Sequence, residues 1–111
     1  MVQNYKIRFT AIAYQDIDNT LDYISKNLCN PIAASNLYDQ IESTIPSLKE
    51  FPYSFPDCQN FFLFDDKYRH VIIGNYGLFF RIKDSTSTVE ILRFLYLKMD
   101  FSKINIVEKG Q

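Results

Sequence analysis

Three arginines stand inside apolar, strand-like segments: Arg69 and Arg81 in "KYRHVIIGNYGLFFRIKD" (Lys67 to Asp84), and Arg93 in "TVEILRFLYLKMD" (Thr88 to Asp100). A guanidinium group stays charged at any physiological pH and grips phosphate or carboxylate through two parallel N–H donors. Three converging copies would suit a polyanion, above all the negative charge that develops on a phosphodiester as it is cleaved. Read without convergence, each arginine snorkels from a strand end or pairs with a carboxylate. Composition alone leaves both readings open.

Period-two alternation groups Arg69 with Val71 and Ile73, Arg81 with Phe79, and Arg93 with Val89, Ile91 and Leu95. The same parity turns His70 away from Arg69, which makes His70 a surface residue on this reading. Tyr96 closes the last apolar run three residues after Arg93, on the opposite face unless a bulge intervenes. It is a candidate for proton transfer and equally a rim aromatic. Cys29 and Cys58 are isolated, with no CxxC and no neighbouring histidine, so neither a zinc site nor a disulfide framework is suggested. The reading expects no metal and no cofactor.

The segments that must position these residues are legible from their periods. "YKIRF" alternates apolar residues and cations as a half-buried strand does, with Tyr5, Ile7 and Phe9 toward a core. Ala13, Ile17, Leu21, Ile24 and Leu28 then recur at helical spacing, and Ala34, Leu37, Ile41, Ile45 and Leu48 repeat the pattern. Asn30 and Pro31 between them supply an N-cap and a first helical residue, so the two stripes form a helical hairpin. Pro46 predicts a kink or restart near Ile45. The stretch from Phe51 to Asp66 has no sustained period and reads as a loop. Strands come next at Tyr68 to Ile73, Gly77 to Lys83 and Thr88 to Tyr96, joined by the turn sequences "GNYG" and "KDSTST". The order is β-α-α-β-β-β, an α+β fold with a small antiparallel sheet flanked by the hairpin.

At 111 residues the chain suits one domain, residues 1 to 111, and its 47% hydrophobic and 23% charged content is that of an ordinary globular protein. No stretch approaches the apolar length that spans a bilayer, and the first residues lack a signal-peptide core, so the sequence reads as cytoplasmic with no membrane partner. The net charge of −1 conceals an asymmetry. Residues 1 to 66 carry 4 Lys and Arg against 9 Asp and Glu, a balance of −5, while residues 67 to 111 carry 8 against 4, a balance of +4. A basic strand region beside an acidic helical one predicts an acidic partner segment lying across the strands.

Four segments in order, "YKIRFTAIAYQDIDNTLDYI", "NPIAASNLYDQIESTIPSLKEFP", "YRHVIIGNYGLFFRI" and "VEILRFLYLKMD", resemble the RelE/ParE family of bacterial toxins, the growth-arresting halves of type II toxin–antitoxin modules. The likeness runs from about Tyr5 to Asp100. It implies a cognate antitoxin that wraps the toxin and neutralises it. It also implies one of two targets. RelE-like members cleave mRNA in the ribosomal A site, and by position Arg69, Arg93 and Tyr96 would be the catalytic residues, with Arg81 and Lys98 binding substrate or partner. ParE-like members poison DNA gyrase without cutting RNA, and the "NP" helix start and "FP" helix end look closer to that branch. The segment "QNFFLFDDK" departs from the RelE-like pattern, with two aspartates where lysines are common. That departure motivates a third possibility, a nontoxic module that only binds an antitoxin. With 16% aromatic residues, some are expected at the surface, and Phe61, Phe62, Phe64 and Phe101 are the candidates for partner contact.

Overall fold

The computed structural model describes residues 4–57 and 68–98. The candidate aromatics Phe61, Phe62, Phe64 and Phe101, and with them Cys58, lie outside that range. The elements are β1 (Lys6–Phe9), α1 (Ala11–Asp22), a π turn (Tyr23–Asn27), α2 (Pro31–Glu50), β2 (Tyr68–Ile73), β3 (Tyr76–Lys83) and β4 (Thr88–Tyr96). They agree with the periods in the sequence to within a residue for every strand.

Strand order across the sheet is β1-β4-β3-β2. The last three strands form the expected antiparallel meander. β1 joins it in parallel beside β4, so the four-stranded sheet is mixed rather than wholly antiparallel. The helices explain the difference: a hairpin of two helices returns the chain along the sheet, and β1 completes the layer as a parallel edge.

Each helix begins at a side-chain cap. The hydroxyl of Thr10 accepts from the Ala13 N–H at 3.1 Å, and the Asn30 carboxamide oxygen accepts from Ala33 N–H at 3.1 Å. Both caps satisfy N–H groups that a first helical turn leaves free. α2 continues through Pro46 to Glu50 without a restart. Ala13, Ile17, Ile24, Ala34, Leu37, Ile41 and Leu48 pack onto Leu78, Phe80, Val89, Ile91 and Phe94 of the sheet.

Leu28 breaks the apolar stripe. The helix widens into a π turn whose closing bond runs from Leu28 N–H to the Tyr23 carbonyl, five residues back. The extra residue rotates the end of the helix, and Leu28 lies 56% exposed although Ile24 is buried. Leu28→Ser is therefore expected to change the unfolding free energy by no more than about 0.5 kcal/mol, as at other surface positions. A urea melt that showed a core-sized loss would place Leu28 back in the stripe.

Candidate functional site

The sheet register fixes where each arginine goes. Arg69 pairs with Phe80, on the face that the helices cover, whereas Arg81 pairs with Tyr68 and Glu90 on the opposite face. Between Phe79 and Phe80 of β3 the pairing slips, so that Phe80 faces Ile91 and Phe79 faces Arg93. Leu92 is the extra residue. This bulge removes Arg93 from the face of Val89 and Ile91 that strict alternation gave it, while Leu95 stays in phase with it.

Each arginine head has its own partner. Arg69 donates from Nη1 to the Phe55 carbonyl at 2.6 Å and lies 5.1 Å over the Tyr53 ring. It thereby ties the segment after α2 to the start of β2. Arg93 grips Asp16 of α1 with two donors, Nε to Oδ2 at 2.7 Å and Nη2 to Oδ1 at 3.1 Å. Asp16 Oδ2 also accepts the Phe94 backbone N–H at 3.1 Å. β1 ends at Phe9, opposite Ile91, and beyond that point the exposed edge of β4 is bonded by α1: Thr10 takes up the Leu92 carbonyl and Asp16 the Phe94 N–H.

Arg81 donates from Nε to Glu90 Oε1 at 2.8 Å, and Arg8 donates from Nη1 to the other oxygen, Oε2. Lys83 lies 3.7 Å from the same carboxylate. The Glu90 side chain is only 6% exposed. Burial acts to raise its pKa, but the Arg81 hydrogen bond and the charges of Arg81, Lys83 and Arg8 prevail and hold it below the usual glutamate range. Sequence reading passed over Glu90. The signal available was the parity of Arg8, Arg81 and Glu90, readable only once the strand order is known.

The remaining candidates divide. Tyr96 is 42% exposed at the end of β4, its ring 5.6 Å from that of Tyr76. The register is regular from Arg93 to Tyr96, which leaves the two on opposite faces. Lys98 is exposed in the turn after β4. His70 corrects the expectation of a surface residue: it is 6% exposed, paired with Phe79, whose ring lies 6.0 Å away. Burial pushes its imidazole below the usual range, partly opposed by Asp57. A second carboxylate hub lies at the β3–β4 turn, where Asp84 accepts from the hydroxyls of Tyr5, at 2.9 Å, and Tyr53. The Asp84 bond, with some desolvation, pushes the Tyr53 phenol up to about 12.

A groove of about 550 Å³ runs along the outer edge of β1, lined by Asn4, Tyr5, Lys6, Ile7, Phe9, Ile45 and Lys49. Lys6 N–H bonds Ser87 and Thr10 N–H bonds Ile91, so alternate backbone groups point at β4. The intervening groups of Ile7 and Phe9 point into the groove. Tyr5 N–H, on the same side, is taken by the Lys49 carbonyl. The site thus combines a strand edge that no described strand pairs with, an apolar floor and two lysines.

Comparison with known proteins gives this arrangement a family. The model of the ParE toxin of the type II toxin–antitoxin system parDE matches residues 7–101. The chain belongs to this family. No curated protein matches it. Among solved structures, the chromosomal ParDE toxin–antitoxin system from P. aeruginosa is similar with a TM-score of 0.69 and 18% identity, covering 85% of this chain and 97% of that one. The toxin–antitoxin complex RelBE2 from Mycobacterium tuberculosis is similar at a TM-score of 0.59 and 23% identity, covering 86% and 94%. At such identities these two likenesses establish the shared fold. The family match establishes a toxin of a type II toxin–antitoxin system, and the bulge, the Asp16 clasp and the Glu90 hub are how this member builds its sheet. Among the described residues no helix is long and apolar enough to cross a membrane.

Proposed function

We propose that this toxin arrests growth by binding DNA gyrase in the cytoplasm, not by cutting ribosome-bound mRNA, and that a cognate antitoxin holds it inactive. The observation that carries the reading is the separation of the arginine heads. Arg69 is bound to backbone carbonyls, Arg81 to Glu90 and Arg93 to Asp16, on different elements. A ribonuclease needs cations and a proton-transfer group around one scissile phosphate. Tyr96, the group in position for that role, sits on the other face from Arg93. The family match to ParE supports the same branch.

The antitoxin's place on this reading is the β1 groove. Ile7 and Phe9 offer main-chain bonds to an added strand, Tyr5 and Ile45 accept alternate apolar side chains, and Lys6 and Lys49 favour an acidic segment.

The deciding experiment is induced expression without antitoxin, with mRNA 5′ ends and plasmid supercoiling monitored together. Relaxed or broken DNA with intact mRNA supports the proposal. New A-site cuts overturn it in favour of a nuclease, and normal growth with folded protein leaves only the antitoxin-binding module. Tyr96→Phe sharpens the test: growth arrest should stay within about twofold of the parent. A nuclease that used this hydroxyl for proton transfer would lose roughly 10²- to 10⁴-fold.

A further inference from the structure

The cations around Glu90 form a larger array than the three that touch it. Two adjacent cross-strand rows share the face opposite the helices. One row is Lys6, Thr88 and Lys83, and the next is Arg8, Glu90 and Arg81, on β1, β4 and β3 in that order. Four cations therefore mark the corners of a rectangle about 10 Å across the strands and about 7 Å along them. Of the described strand positions, Thr88 and Glu90 stand between them. With one carboxylate inside, the rectangle carries a net charge of +3 on a protein whose total is −1.

Glu90 organises this array more than it neutralises it. It takes one nitrogen from each arginine, Nε of Arg81 and Nη1 of Arg8, and among the described residues it does not use their other N–H donors. The guanidinium groups are thus held in place before any ligand arrives. Lys6, Arg8 and Lys83 are exposed and Arg81 half-buried. Among the described residues, the six positions of the rectangle carry no aromatic or purely aliphatic side chain, and Tyr68 flanks it beyond Arg81. Protein interfaces draw their energy from buried apolar and aromatic anchors and are poor in lysine at their centre, so a flat field of pure charge is a weak protein-docking surface. It is well matched to a ligand whose charge lies in a regular row of phosphates.

We infer that the Lys6–Arg8–Arg81–Lys83 face binds the phosphodiester backbone of a nucleic acid, without reading its bases. This contact shares Lys6 with the β1 groove but lies across the sheet face opposite the helices, and it does not depend on which target the toxin arrests.

Fluorescence anisotropy on the purified full-length chain tests it, with labelled 20-nucleotide DNA and RNA single strands of one sequence and the matching DNA duplex. From 50 to 200 mM salt, affinity for duplex should fall about 40-fold, the loss expected for about three neutralised phosphates. The double variant Lys6→Gln with Lys83→Gln should bind about tenfold more weakly and reduce the salt slope by about two. Lys26→Gln with Lys49→Gln changes the net charge equally on the helices and should leave binding unaltered. Comparable affinity for DNA and RNA supports a backbone contact, and a preference for either polymer identifies which one the face meets. The inference is overturned if the sheet pair of substitutions weakens binding no more than the helix pair does. It is also overturned if a polyglutamate peptide binds this face while none of the three nucleic acids does. Neither substituted lysine is engaged in the core, so folding of the decisive variant does not rest on the buried Glu90.

Discussion

Asp16→Ala is expected to lower the melting temperature by about 15 °C. The substitution removes both acceptors of a bidentate Arg93 clasp in which the two side chains are 17% and 16% exposed. Breaking one partner out of a buried ion pair costs roughly 3–5 kcal/mol, because the remaining charge stays desolvated. The Phe94 N–H loses its acceptor at the same time, on an edge of β4 that no described strand covers. These losses overlap, so about 3–4 kcal/mol is the expected total, and for a chain of this length each kcal/mol is worth about 4 °C. Asp16→Asn retains one acceptor for Phe94 and should lose about half as much. A double-mutant cycle with Arg93→Ala should return a coupling of about 2 kcal/mol. A shift below about 3 °C for Asp16→Ala would mean that the clasp contributes little to stability. Arg93 would then regain its claim to a role on a substrate. The result therefore bears on function: any loss of toxicity in an Arg93 variant has to be read against the stability of the same variant.

The helical hairpin and the strands were legible because burial imposes a period. Ile17 and Ile24, or Leu37, Ile41 and Leu48, must return to one side of a helix, and a sequence carries that spacing openly. The features that escaped are those that add one residue to a period. The π turn at Tyr23–Asn27 carries Leu28 out of its stripe, and the bulge at Leu92 carries Arg93 out of its face. Neither needs a glycine or a proline, so neither leaves a mark in composition. Pairings across the sheet escaped for a different reason. Asp16 and Arg93 are 77 residues apart, and Arg8 and Glu90 are 82 apart. Their meeting depends on β1 lying parallel to β4, a fact of strand order that period two does not contain. His70 shows the same limit: parity placed it correctly away from Arg69, but not the burial of that face around Phe79 and Leu95.

Arg93 is thus held by a carboxylate from the acidic half of the chain and Arg81 by one from the sheet itself, whereas Arg69 is held by backbone carbonyls. This changes what the charge asymmetry of the sequence means. Asp16 belongs to the −5 half and Arg93 to the +4 half, and their clasp joins the helical layer to the strands. Among the described residues, Lys6, Arg8, Arg81 and Lys83 gather at the other end of the sheet, around Glu90.

Glu90→Ala is the second substitution with a large expected effect, and its pH dependence separates charge from packing. The carboxylate holds Arg81 and Arg8 directly with Lys83 close by, and removing it brings three cations together without their counter-charge. Arg8 and Lys83 are well exposed, so solvent screens part of the repulsion and about 2–3 kcal/mol is expected, less than for Asp16. Because the folded protein holds the Glu90 carboxyl below its unfolded value, the ionised form favours folding. That stabilisation is fully present above the unfolded value and is lost as the pH falls through the folded one. Melting curves from pH 7 to pH 3 should therefore show the parent above Glu90→Gln at neutrality and the gap closing through the acid range. Glu90→Ala should fall below Glu90→Gln at every pH, since glutamine still accepts from Arg81. Parallel curves for the parent and Glu90→Gln would assign the contribution of Glu90 to shape alone. A closing gap makes its charge the reason that two arginines stand fixed on an otherwise open basic face.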